Sequence, residues 1–307
     1  MFESPDNHSV GKKPVKVIEP SQLKTEGHSV GRKQPIILSQ EPESVVSSKK
    51  IDWLAQTTER IGNPSQISVD ILRLVERTKK DLGLSEEMST EDYDAVDKVA
   101  GMIIDTFNEC SSFFSIPADS YKVKLANLKD GGASLEVRKG GVFVVLHEKR
   151  VFEAWQMFRG GLDSFVAEKY QMCQQYVTQG YLKQEAVSTF LETLLQDNSF
   201  CKLLESIGHE LNHLRRIIKN NGQIQGFSLG LDEEIDFDSP EGIKYMQDPE
   251  EKLSRAVGLR YLREKKQKID AKPEKSPEEK AMLILLNATI SHRTEMLRIL
   301  AATKATT

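Results

Sequence analysis

The sequence predicts an α+β fold that is mainly helical, with a small sheet ahead of a helix carrying the pattern H-E-x-x-H. Three observations lead there. From residue 51 onward, apolar residues recur mostly every three or four positions, which is helical periodicity. One block, 121–146, instead alternates and is cut by glycine pairs, as short strands do. The stretch His209-Glu210-Leu211-Asn212-His213 then falls inside a periodic run.

Residues 1–50 are rich in Ser, Pro, Lys, Glu and Gln and poor in aromatics, so they read as a disordered or extended segment. They hold a short repeat: His8-Ser9-Val10-Gly11-Lys12-Lys13 recurs as His28-Ser29-Val30-Gly31-Arg32-Lys33. Two copies are too few for a solenoid. A duplicated linker, a pair of docking motifs for a protein partner, or a leader lying over a site all fit.

A helical region follows over 51–114. Periodic runs span 51–61 and 69–82, with Asn63-Pro64-Ser65 as the break. A longer helix over 91–114 carries Val96, Val99, Ile103, Ile104 and Phe107. Residues 115–265 form the core. It opens with three short strands, 121–125, 133–137 and 142–146, parted by Asp130-Gly131-Gly132 and Lys139-Gly140-Gly141. A helical insertion over 151–197 contains Trp155, Phe158, Phe165, Tyr170, Tyr176 and Tyr181, a density that suits core packing.

In the helix around the motif, Leu203, Leu204, Ile207, Leu211, Leu214 and Ile218 share a face, and Asn220-Asn221-Gly222 ends it. Gly208, directly before His209, lowers helix propensity but permits close approach of another backbone. A long irregular loop over 222–242 holds Asp232, Glu233, Glu234, Asp236 and Asp238. Solvated loop charge is the plain reading, since EF-hand spacing is missing; a lid is another. Asp248-Pro249-Glu250-Glu251 opens the next helix, with Pro in its first turn and acids at the positive end of its dipole. Residues 266–307 form a C-terminal linker and helix, the helix beginning near Ser276-Pro277-Glu278-Glu279.

The chain has 307 residues, is 38% hydrophobic and carries a net charge of -4, a globular composition that gives no reason to expect nucleic acid. No apolar run approaches the ~20 residues needed to span a bilayer, and Met1 to Asp6 are too polar for a secretory signal. A cytoplasmic or otherwise intracellular location is therefore expected, with no membrane partner. The three cysteines, Cys110, Cys173 and Cys201, are odd in number and sit in helical patterns, as buried free thiols do.

On a helix, positions i and i+4 share a face, so His209 and His213 can grip one metal ion. Glu210 can then point at a water bound to that metal. Two nitrogen ligands, an open position and an adjacent carboxylate are what zinc-assisted hydrolysis requires. A catalytic zinc usually takes a third protein ligand. The extended form with a third His is absent, because Arg216 and Lys219 stand where its Gly and His belong. Glu250 and Glu251, at the start of the following helix, are the remaining choice; ordinary helix capping also explains them.

Here the chain resembles the gluzincin branch of zinc-dependent peptidases. In several bacterial and phage-type members, a Tyr-x-x-x-Pro-x-Glu-x-x-Ala segment carries the third ligand. This chain matches it at Tyr245, Pro249 and Glu251, with Ser254 in place of the Ala. The resemblance covers about residues 115–265. It implies a zincin-like catalytic domain that binds one Zn2+ per chain through His209, His213 and Glu251 and cleaves a peptide or protein substrate. It implies further that an edge strand beside the site pairs with the substrate backbone, a part the third strand fits.

On that expectation Glu210 is the general base. Tyr245 is the first choice as oxyanion donor, ahead of Arg255, Arg260, Tyr261 and His147. Two other readings stay open: a catalytically silent zincin-like structural or interaction protein, such as a virion or assembly component, and a metallohydrolase acting on non-peptide substrates.

Overall fold

The computed structural model describes residues 66–302 apart from 85–86, 118, 130, 139–140 and 221–246, all within one unit, Ser48–Thr307. The N-terminal repeat, the expected helix at 51–61, the acidic residues of the 222–242 loop and Tyr245 lie outside the described residues. What is described is mainly helical, with one three-stranded sheet.

Helix α1 (Gln66–Asp81) turns its apolar stripe, including Ile71, Leu72 and Val75, into the core. Ser89 starts α2 (Thr90–Phe114) with a capping box: its hydroxyl accepts from the Asp92 N–H, and the Asp92 carboxylate accepts from the Ser89 N–H. The helix ends at Ser115, whose left-handed backbone (φ 55°) lets its N–H reach the carbonyls of Ser111 and Ser112.

The sheet comprises β1 (Lys122–Ala126), β2 (Ala133–Arg138) and β3 (Gly141–His147) in the order β1-β3-β2. The three strands fall where the sequence puts them, but only the second and third pair with each other as consecutive antiparallel strands. β2 runs antiparallel to β3, with Leu135 opposite Val144. β1 pairs on the other side of β3, parallel to it, with Val123 opposite Val144. This corrects the expectation for the third strand. β3 is central, both its backbone edges are taken, and it has no edge to offer an extended peptide. Among the described residues, β1 and β2 are the edge strands.

Helices α3 (Glu148–Gly160), α4 (Leu162–Thr178) and α5 (Val187–Leu195) make up the insertion. Trp155 and Phe158 are buried in it, as expected, but Tyr170 and Tyr181 are exposed, Tyr181 at 81%. Tyr170 lies midway along α4 and Tyr181 in the connection that follows that helix.

Helix α6 (Ser199–Lys219) is the spine of the core. Asn198 caps it by accepting from the Cys201 N–H. Phe200, Leu203, Leu204, Ile207, Leu211 and Leu214 are all essentially inaccessible. Helix α7 (Pro249–Asp270) crosses α6 closely, and α8 (Pro277–Ala302) packs on α7 and α4. Cys110, Cys173 and Cys201 are free and buried, and burial pushes the thiols of Cys110 and Cys201 up to about 12, so they are inert. No helix among the described residues is long and apolar enough to cross a membrane.

Candidate metal centre

Two local devices bring the site residues together. The first is the helix spacing of α6, which stacks His209 and His213 one turn apart, with ring centroids 4.7 Å from each other. The second is the start of α7. Asp248 caps it, its Oδ1 accepting from the N–H groups of Glu250 and Glu251, and Pro249 occupies the first turn. That fixes the direction in which the first-turn carboxylates leave the helix. Glu250 turns to Arg216 of α6 and forms an ion pair. Glu251 turns inward and is 7% exposed. The structure thus separates two neighbouring acids that the sequence left as alternatives on local grounds.

The helices approach closely because both are glycine at the crossing. A Cβ built on Gly208 would meet the Gly258 Cα at 3.5 Å, and one built on Gly258 would fall 2.7 Å from the Glu205 carbonyl. One polar rung lies between this crossing and the site: the buried Asn212 side-chain amide donates to Ser254 Oγ at 2.9 Å.

His209 Nε2 and His213 Nε2 lie 3.0 Å apart. Glu251 Oε1 is 3.2 Å from His213 Nε2, and Oε2 is 3.3 Å from His209 Nε2. These three side chains form a cluster suited to a metal ion. Two nitrogens and an oxygen bound to one tetrahedral zinc at their usual bond lengths would stand about 3.3 Å from one another. The N···N separation and the two N···O separations, each to a different Glu251 oxygen, lie near that value, so the donor set is compatible with a metal ion. Two ring nitrogens 3.0 Å apart need either a shared proton or a shared metal ion between them. Glu251 Oε2 is buried and lacks a well-aligned hydrogen bond, its nearest cationic neighbour being His209 Nε2 at 3.3 Å.

The electrostatics follow from burial and from the three partners. Burial works to raise the Glu251 carboxyl, but the two imidazoles outweigh it and hold it far below the ordinary carboxylate range. Burial works against a charge on His213, but Glu251, Glu210 and Glu250 outweigh it, so that imidazole is raised. Glu210 lies beside the cluster, its Oε1 3.9 Å from His209 Nε2 and its side chain 13% exposed. Burial raises its carboxyl, and the neighbouring imidazoles and Arg255 offset part of that. A carboxylate raised in this way is a better proton acceptor near neutral pH.

The other residues singled out in the sequence are engaged elsewhere or stand apart. The Tyr261 hydroxyl hydrogen-bonds Glu109 at 2.9 Å and Thr106 at 3.3 Å. Arg260 pairs with Glu264 and lies over the Phe113 ring. His147 caps α3, its Nδ1 accepting from the Lys149 N–H. Arg255, one turn beyond Glu251, is the one residue of this group whose charge reaches Glu210. A cavity of about 510 Å³ between α2 and α7 is lined by Glu109, Phe113, Arg260 and Tyr261 among others, and by no residue of the cluster. The Asn212–Ser254 contact escaped the sequence reading; the one trace of it was Ser254 standing where the resembling families carry Ala. No protein-family model, curated protein or solved structure matches this chain.

Proposed function

We propose that this chain is a zinc-dependent metallopeptidase with a zincin-like core. The observation that carries the reading is the convergence of His209, His213 and Glu251 at metal-ligand separations, with the Glu210 carboxylate beside them. Zinc bound there would supply a Lewis acid and a water acidified toward neutral pH. Glu210 is the group that takes a proton from the attacking water and returns it to the leaving amine. Glu251 balances charge and orients the imidazoles. The order of elements supports the zincin-like reading: a small sheet, then the helix with both histidines, then a helix presenting the Glu.

Substrate alignment falls to β2. It is an edge strand, antiparallel to β3, and it enters directly against α6: a Cβ on Gly132 would lie 2.5 Å from Ser206 Oγ. An extended peptide added to that edge would run along the helix that holds the histidines.

The test has two arms. Purified protein should contain about one zinc per chain by elemental mass spectrometry, and Glu251→Ala should lose most of it. Glu210→Gln should keep the metal but lose roughly 10²–10⁴-fold in peptide hydrolysis. Absence of zinc from the parent after reconstitution defeats the proposal.

One observation favours a second reading. With one proton shared between the two ring nitrogens and Glu251 paired to both, the cluster closes without a metal. On that reading the chain is a silent zincin-like scaffold, and a parent that folds and binds no zinc would support it.

A further inference from the structure

We propose that Asn212 and Ser254 are positioning residues: their buried hydrogen bond pins the register of α6 on α7 and so sets the gap between Glu251 and the two imidazoles. The inference rests on the metal-site reading above. Contacts between the two helices form a short ladder. Gly208 meets Gly258 at the crossing, Asn212 meets Ser254 one step on, and His209 and His213 meet Glu251 at the end. The glycine contact is smooth and fixes distance, not register. A helix sliding by one residue moves about 1.5 Å, enough to break a 2.9 Å hydrogen bond and to pull Glu251 off its partners.

Asn212 is 1% exposed and Ser254 0% exposed. Neither the amide nor the hydroxyl has water to fall back on, so each is satisfied well only in the register where they meet. Ser254 lies three residues beyond Glu251 on the same face of α7, and Asn212 directly precedes His213. A displacement at the rung is therefore transmitted to the ligands through less than one turn of helix on either side.

The experiment separates positioning from plain stabilisation. Zinc affinity would be measured by chelator competition on the parent, Ser254→Ala, and the double variant Asn212→Leu/Ser254→Ala. The metal-free thermal midpoint and the cobalt(II) absorption spectrum would be recorded beside it. Ser254→Ala strands the Asn212 amide, so it should lower both stability and zinc affinity. The double variant removes both polar groups, so its metal-free midpoint should return toward that of the parent. Its zinc affinity should stay at least tenfold weaker and its cobalt spectrum altered. A double variant with the parent's affinity and spectrum overturns the proposal and leaves the metal site standing. A parent that binds no zinc overturns both. Should the double variant not fold, Ser254→Ala decides: parental zinc affinity alongside a lowered midpoint overturns the pin.

Discussion

Glu251 and His213 respond to pH in opposite senses, and a bound metal reverses which of them matters. Without metal, the depressed Glu251 carboxyl contributes stability that is present above its unfolded value of about 4.3 and lost as pH falls through the folded one. The raised His213 contributes stability that is present below its unfolded value of about 6.5 and lost as pH rises through its folded one. The metal-free triad is thus strongest between those two reference values. A metal needs neutral imidazoles, so zinc affinity should instead climb over the range where His213 loses its proton. Chelator competition from pH 5.5 to 8 should show affinity rising by up to about tenfold per pH unit below the His213 pKa. The metal-free thermal midpoint should meanwhile fall above neutrality. A flat affinity profile would mean that His213 is no ligand. At this scale the meeting of His209, His213 and Glu251 was legible because its determinants are local: i to i+4 spacing within α6, and a capped first turn for Glu251. Asn212–Ser254 was not, because its partners are 42 residues apart and neither belongs to a motif.

The two glycines of the helix crossing look alike in sequence and differ in what surrounds them. A methyl at Gly208 would meet Gly258 Cα at 3.5 Å and Cys110 Sγ at 3.8 Å, ordinary contacts, and alanine is worth about 1 kcal/mol over glycine inside a helix. Gly208→Ala should therefore be neutral to mildly stabilising. A methyl at Gly258 would fall 2.7 Å from the Glu205 carbonyl, which is backbone and cannot swing aside. Gly258→Ala should push α7 off α6 and cost about 1–3 kcal/mol, and because Glu251 rides on α7 it should weaken zinc binding as well. Thermal melts and metal titrations of the two variants check this, and equal effects would refute the asymmetry. Gly208 could be read from the sequence as a point of close approach, because it interrupts a strong helical pattern. Which glycine has no room could not, since that depends on Glu205 of the partner helix. The sheet shows the same division. Strand positions followed from alternation and glycine turns, but the order β1-β3-β2 depends on where the helices leave β1, which no local pattern records.

The described helices α1, α2 and α3 are joined at one buried ionic knot, and it sets how the whole molecule meets acid. Asp92, 1% exposed, accepts from Lys79 Nζ at 2.7 Å and pairs with Arg159, and its backbone carbonyl accepts from the Trp155 indole at 3.1 Å. Lys79 is itself 5% exposed and also donates to the Glu87 carbonyl. Burial works to raise the Asp92 carboxyl, but Lys79, the Ser89 N–H and Arg159 outweigh it, so the net shift is downward. A depressed carboxyl contributes stability that is present above its unfolded value, about 3.9, and lost as pH falls through the folded one. The knot should therefore hold at neutral pH and fail only in strong acid. Asp92→Asn keeps the shape but leaves Lys79 as an uncompensated buried cation. It should cost about 3–5 kcal/mol, roughly 10 °C in thermal midpoint for a domain of this size. The variant should also lose part of the parent's decline in stability below about pH 4, because the titrating group is gone. Zinc affinity, measured on the variant at a temperature where it is folded, should stay near that of the parent, because Asp92 is not among the groups that chiefly shift His213 or Glu251. A variant as stable as the parent would show that Lys79 finds another partner or water, and that the three helices are held by their apolar faces alone.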